Sequence, residues 1–253
     1  MNLFAFTLLL SAVASPHDDD PKRADRVPPF QGQAWRRGPA LAQFSGSSES
    51  FITGGDPTSP GYAFEAEGVQ LLSWLPLSEF GNGAPSGNDC WGYVSPSGRE
   101  YAIMGTSNGT GFVEVTDPGN AQVVGFIPGP VSLWRDIKTF KNHAYVVADG
   151  AGAHGMQIFD LTRLRDVTNP PAKFEPDVLY RGVENNVVES SHNVIINEDT
   201  GFAYLTSRGC SGLHMIDIND PLNPDFVGCS EPGSTHDAQC VVYHGPDDDF
   251  TGR

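Results

Sequence analysis

The sequence predicts an all-β fold built from repeated four-stranded units, and three observations carry that reading. Gly 29 and Pro 20 in 253 residues, with 39% hydrophobic and only 18% charged residues, supply turns at a density that suits short strands rather than helices. An Asx residue heads each of four apolar runs: Asp89, Asp136, Asn193 and Asp237, spaced 47, 57 and 44 residues apart. A second marker keeps step with the first: the acidic residues of "GFVEVTDP", "GMQIFDLT" and "GLHMIDINDP", Glu114, Asp160 and Asp217, are spaced 46 and 57. Two markers moving together at a period of about 45 residues are the signature of β-propeller blades. One four-stranded sheet cannot bury both of its faces, and stacking sheets radially buries them against each other.

The elements follow in chain order. "MNLFAFTLLLSAVAS" has an apolar core from Leu3 to Leu10 and small residues at Ala12-Val13-Ala14, so residues 1–14 read as a secretory signal peptide. The run is too short for a membrane span, and "PHDDDPKR" follows at once. Lys22-Arg23 is a weak dibasic processing signal. Residues 15–60 are rich in Pro, Gly, Ser and charge without a steady period, and read as a tail or linker. Residues 61–253 read as a partial propeller, with the change of character plain from "GVQLLSWLPL" onward.

Within it, "NDCWGYVSPSGREYAIMGT", "WRDIKTFKNHAYVVADG" and "SHNVIINEDTGFAYLTS" repeat one plan: Asx, apolar strand, tight turn, Tyr-containing strand. The middle unit carries about ten extra residues around "RDVTNPPAKFEPD", and the irregular stretch 161–182 suits a short helical turn. "STHDAQCVVYHG" places His236-Asp237 before a further apolar run, and "YHGPDDDFTGR" stops inside a hairpin. The expectation is β-propeller-like: three full blades plus part of a fourth, an incomplete ring whose open blade edges invite self-association.

"GLHMIDINDPLNPDFVG" resembles an LVIVD-type repeat. Together with "LLSWLPL", "HGMQIFDL" and "THDAQCVVYHGPD" it is similar to the choice-of-anchor B family of extracellular propeller proteins, over roughly residues 68 to 253. The resemblance implies a propeller fold and an extracellular place, rather than a chemistry. The chain departs from the family pattern in ending early and in lacking the variable C-terminal anchor.

Charge narrows the partners. The net charge is −16, and 15 Lys and Arg spread along the chain make no phosphate-tracking face, so nucleic acid and anionic membranes are poor partners and basic surfaces or cations suit better. Secretion gives meaning to four cysteines, Cys90, Cys210, Cys229 and Cys240: two disulfides in one of three pairings, with Cys210 and Cys229 able to staple one repeat, or four buried thiols. "NGT" at Asn108 is a glycosylation sequon on a turn.

The candidate site is the set of blade-start pairs at the channel mouth: Asn88-Asp89, Arg135-Asp136, His192-Asn193 and His236-Asp237. Neighbours on a strand point opposite ways, so one of each pair should face the axis unless the backbone turns. The bland reading is that the Asx residues fix their own turns through nearby backbone N–H groups. The sharper reading is a divalent metal held by His192, His236 and Asp237, with Arg135 receiving an anionic group. Asp247 to Asp249 offer hard oxygens for calcium, though without EF-hand spacing. Trp91 and Trp134 are candidates for a carbohydrate surface, and His143, His154, His214 and His244 read as packed or exposed singletons. Two functions follow: a secreted non-enzymatic binding or scaffold protein with a protein or glycan partner, or a metal-dependent hydrolase or oxidoreductase at the channel mouth. Convergence of the two imidazoles on one point, with a carboxylate facing it, would favour the second.

Overall fold

The computed structural model describes residues 72–252 except 208, 209, 211, 231 and 232, together with three short strands before them, Trp35–Arg36, Ile52–Gly54 and Tyr62–Phe64. The expected signal peptide lies outside the described residues. The stretch read as a tail is paired at two places: Trp35–Arg36 runs antiparallel to Ser73–Trp74, and Ile52–Gly54 to Tyr62–Phe64.

The fold is all-β, and its main body is three antiparallel sheets, none of them closed. The first sheet contains Gly87–Val94, Glu100–Thr106, Gly109–Glu114 and Gln122–Pro128; the second, Trp134–Phe140, His143–Asp149, Met156–Asp160 and Val178–Tyr180; the third, Ser191–Asn197, Phe202–Ser207, His214–Asp217 and Asp225–Cys229. In each, the four strands pair in chain order; most connections are short, and the exception is the insertion of residues 161–177 between Met156–Asp160 and Val178–Tyr180. The insertion of the second unit forms a 3-10 turn, Leu161–Asp166, started by Asp160, whose carboxylate accepts the Thr162 N–H at 2.8 Å. It then returns to the first sheet, where Ala172–Lys173 adds a parallel edge strand beside Gln122–Pro128. Among the described residues no helix is long and apolar enough to cross a membrane.

The sheets stack because the second one is apolar on both faces. Along His143–Asp149, Ala144 and Val146 join Ile103, Phe112, Ile127 and Phe159 in one core, while Tyr145 and Val147 join Val194, Leu205 and Ile216 in another. The period-2 alternation of a strand sends successive side chains into the two interfaces. The far face of the first sheet is covered instead by Leu77 and Phe80 of a 3-10 turn, packed on Val113 and Val123.

The expected fourth unit does not form a strand. Residues 233–252 hold turns and irregular backbone, with the Gly252 N–H on the Tyr243 carbonyl at 2.8 Å, and Val241 is 65% exposed. The physical reason is the ladder: among the described residues no second strand follows to satisfy the backbone groups of "QCVVY".

Candidate functional site

The leading strands of the three sheets lie side by side, and their first residues surround a cleft of about 320 Å³ lined by Asn88, Asp89, Trp134, Arg135, Asp136, His192 and Asn193. Both members of the Asn88-Asp89 and His192-Asn193 pairs reach it because the backbone does turn there. The ladder slips between Gly87 and Cys90 and between Ser191 and Val194, and such bulges re-aim side chains.

Three of the four Asx residues do not serve their own turns. The Ile137 N–H donates to Asp89 Oδ2 at 3.0 Å, the Val194 N–H donates to Asp136 Oδ2 at 2.7 Å, and Asn193 Nδ2 donates to the His236 carbonyl at 2.8 Å. Each unit thus reaches the start of the next. Asn88 adds a second link, its Oδ1 accepting the Arg135 N–H and its Nδ2 donating to the Leu133 carbonyl. Asp237 alone acts locally, its Oδ1 accepting the Ala238 N–H at 2.8 Å. The turn reading is therefore corrected for three of the four positions: the repeat is conserved along the chain because every sheet boundary needs the same bond.

Electrostatics concentrate on the first two sheets. Burial raises the Asp89 carboxyl above its ordinary value, and the neighbouring Asp136 carboxylate raises it further, against the pull of Lys138 and the Ile137 N–H. Lys138 pairs with Asp136 at 2.7 Å and lies over the ring of the exposed Trp91 at 4.4 Å. Arg135 does not present its charge to the cleft. It is 1% exposed, with Nε donating to the Thr106 carbonyl at 3.0 Å and Nη2 to the Pro130 carbonyl at 2.8 Å, so the anion-binding role expected of it does not fit its placement. Burial lowers its pKa to about 10, which still leaves it charged at neutral pH.

His192 is oriented by a residue that sequence reasoning missed. Asp149 Oδ2 meets His192 Nδ1 at 3.2 Å, while Asp149 Oδ1 accepts from the Gly150 N–H and from Ser190 Oγ. The signal was the Asp-Gly at the end of "YVVADG", where a strand gives way to a turn. His192 and His236 come together, ring centroids 4.3 Å apart, with Trp134 5.7 Å from His192. Asp237, the third expected ligand, is exposed and bonded to its own backbone neighbour. Among the described residues, the group that places three ligand atoms within 4.8 Å of one another lies elsewhere: Cys210, His214 and Cys229.

The remaining candidates fall out plainly. Cys210 and Cys229 form a disulfide, whereas Cys90 is an exposed thiol and Cys240 a half-buried one, raised by burial. Asn108 sits on the turn between two strands of the first sheet, but its Nδ2 donates to the Asn82 carbonyl at 2.6 Å and Thr110 is buried, so the folded sequon is already occupied by protein contacts. Asp247 accepts the Asp249 N–H at 3.1 Å, a turn role. His154 is packed, in line with the expectation of a packed or exposed singleton, whereas His214, also packed, is not a singleton: it lies against Cys210 and Tyr180. Comparison with family profiles, with curated proteins and with solved structures finds no match.

Proposed function

We propose that this chain is a secreted β-propeller protein of the LVIVD-repeat, choice-of-anchor B type, acting as a non-enzymatic binding or scaffold module. The observation that carries the reading is the use made of Asp89, Asp136 and Asn193. Their polar atoms bridge successive sheets, which is the work of a rigid frame rather than of a reaction centre. The stacking of three chain-ordered four-stranded sheets on shared cores supports propeller architecture. The cleft between the leading strands, with Asp89, Asp136 and Trp134 on its wall in a chain of net charge −16, suits a basic group on a protein or glycan partner.

The second reading, a metal-dependent hydrolase or oxidoreductase at the same cleft, is favoured by the close approach of His192 and His236 beside Asp149. One experiment separates the two. The full chain is expressed in secreting eukaryotic cells, and the protein in the medium is analysed for its new N-terminus and its metal content, beside a His192→Ala/His236→Ala variant. Export with a start after Ala14 and no stoichiometric metal is the expected result. Retention of the full-length chain in the cell would overturn secretion. One equivalent of transition metal, lost in the folded double variant, would overturn the scaffold reading in favour of the enzyme.

A further inference from the structure

The geometry points to a redox-gated metal site in the third sheet, remote from the cleft and independent of the reading above: with its disulfide reduced, the chain binds one zinc-like divalent ion through Cys210 Sγ, Cys229 Sγ and His214 Nδ1. Three features of the placement argue for it. His214 and Cys229 are direct partners in the antiparallel ladder of His214–Asp217 with Asp225–Cys229, and directly opposed residues project from the same face. Two of the three donors are therefore set on rigid strands rather than on loops. Cys210 enters from the preceding segment, and its Sγ lies 3.3 Å from His214 Nδ1.

The spacing of His214 from the sulfurs suits a tetrahedral ion once the disulfide is opened. Cys210 Sγ and His214 Nδ1 are 3.3 Å apart and all three donor atoms fall within 4.8 Å of one another; donors around zinc, with bonds of about 2.0–2.3 Å, lie about 3.5 Å apart, so the two sulfurs, bonded to each other in the disulfide, must move apart on reduction to share the ion. Soft thiolates with one imidazole select zinc over hard cations such as calcium or magnesium. The outer contacts are also in place. The Tyr180 hydroxyl meets His214 Nε2 at 2.9 Å, which fixes the ring and leaves Nδ1 aimed at the sulfurs, as outer partners do for metal-bound histidines. His214 is fully buried and Cys210 nearly so, and three protein donors leave a fourth position for water.

The disulfide and the ion compete for the same two sulfurs, so oxidation state gates the site. With a phosphine reductant the chemistry balances simply. Phosphorus attacks one sulfur and the S–S bond breaks. Water then supplies the oxygen that carries the phosphine away as its oxide, and both sulfurs end as thiols. The ion displaces one proton from each thiol as it binds.

The test uses the full chain carrying Cys90→Ser and Cys240→Ser, so that the pair supplies the only thiols. It is reduced with a phosphine and titrated with Co²⁺, then with Zn²⁺ in competition. The expected result is one equivalent of Co²⁺ with a thiolate-to-cobalt charge-transfer band, displaced by Zn²⁺, and no band before reduction. Tyr180→Phe keeps every donor and is expected to weaken binding by about tenfold, while His214→Gln is expected to remove the one-equivalent step. Circular dichroism follows the fold in each sample. The proposal is overturned if the reduced, folded chain gives no thiolate band, if His214→Gln binds as the parent does, or if reduction unfolds the chain and Zn²⁺ does not restore it.

Discussion

Asp136 Oδ2 accepts the N–H of Val194 at 2.7 Å, joining the leading strands of the second and third sheets across 58 residues of chain. The bond is buried, and a hydrogen bond to a charged group contributes about 1.5–3 kcal/mol. Asp136→Ala strands the Val194 N–H and is expected to lower stability by about 2–3 kcal/mol, read as a lower urea midpoint. Asp136→Asn retains an acceptor and is expected to lose less. Asn193→Ala, whose bond to His236 is exposed, is expected to lose under about 1 kcal/mol. Equal losses in the three variants would show that these residues act by something other than bridging.

Asp89 carries the opposite sign. Its carboxyl is raised in the folded state, by burial first and then by Asp136. An acid raised on folding binds its proton more tightly in the native chain. Its favourable share of stability is therefore present below the ordinary value of 3.8 and is lost as pH rises through the folded value. Asp89→Asn keeps an acceptor for the Ile137 N–H and removes the repulsion. The variant is expected to match or exceed wild type in urea midpoint at pH 7, and to lose that advantage at acid pH. A variant weaker than wild type at pH 7 would show that the charge at Asp89 is needed, through Lys138.

Arg135 is a buried cation tied to the Thr106 and Pro130 carbonyls, with Nη1 lacking a hydrogen-bond partner. Arg135→Ala removes two charge-assisted bonds and opens a cavity, and is expected to cost about 3 kcal/mol. Arg135→Met fills the space and is expected to recover part of that loss. Thermal melts of the three proteins compare them directly.

His154 is 4% exposed, and burial, helped by the charges of Arg135 and Arg181, lowers its pKa from 6.5 to about 4. A base held neutral by the fold contributes stability that is complete above 6.5 and is lost as pH falls toward the folded value. Wild type is expected to weaken between pH 6.5 and 4, and His154→Gln to weaken less over that window, by up to about 3 kcal/mol. Urea titrations at pH 7, 5.5 and 4.5 read the difference; parallel curves would place the proton uptake elsewhere.

The Cys210–Cys229 bond closes a separation of 19 residues, and loss of a cross-link of that length costs about 3 kcal/mol. Cys210→Ser/Cys229→Ser is expected to lower the urea midpoint accordingly. Native wild type is expected to show two reactive thiols, Cys90 modified faster than the half-buried Cys240.

Repetition was the part of this protein most legible along the chain. Glu114, Asp160 and Asp217 each end the third strand of a sheet, as their spacing implied. The irregular stretch after Asp160 became the short 3-10 turn expected of it, and the pairing of Cys210 with Cys229 was among the open alternatives. At the candidate site, Asn88, Asp89, Arg135, Asp136, His192 and Asn193 line the cleft, whereas His236 and Asp237 are not among its lining residues, and the partners of these side chains were not legible. Asp149 escaped notice because its meaning lies in His192, 43 residues on: the local Asp-Gly marks the turn after the strand but not that contact.

The sequence by itself determined most strands of the three sheets and the tight turns within them, because alternation, Gly and Pro act over a few neighbouring residues. Only the tertiary structure decided what each polar group was for. It turned Arg135 inward, stretched Asp89 and Asp136 across sheet boundaries, and left "QCVVY" without a ladder. The reason is that a hydrogen bond or a buried charge is defined by whichever atom arrives opposite it, and here that atom lies as far as 58 residues away.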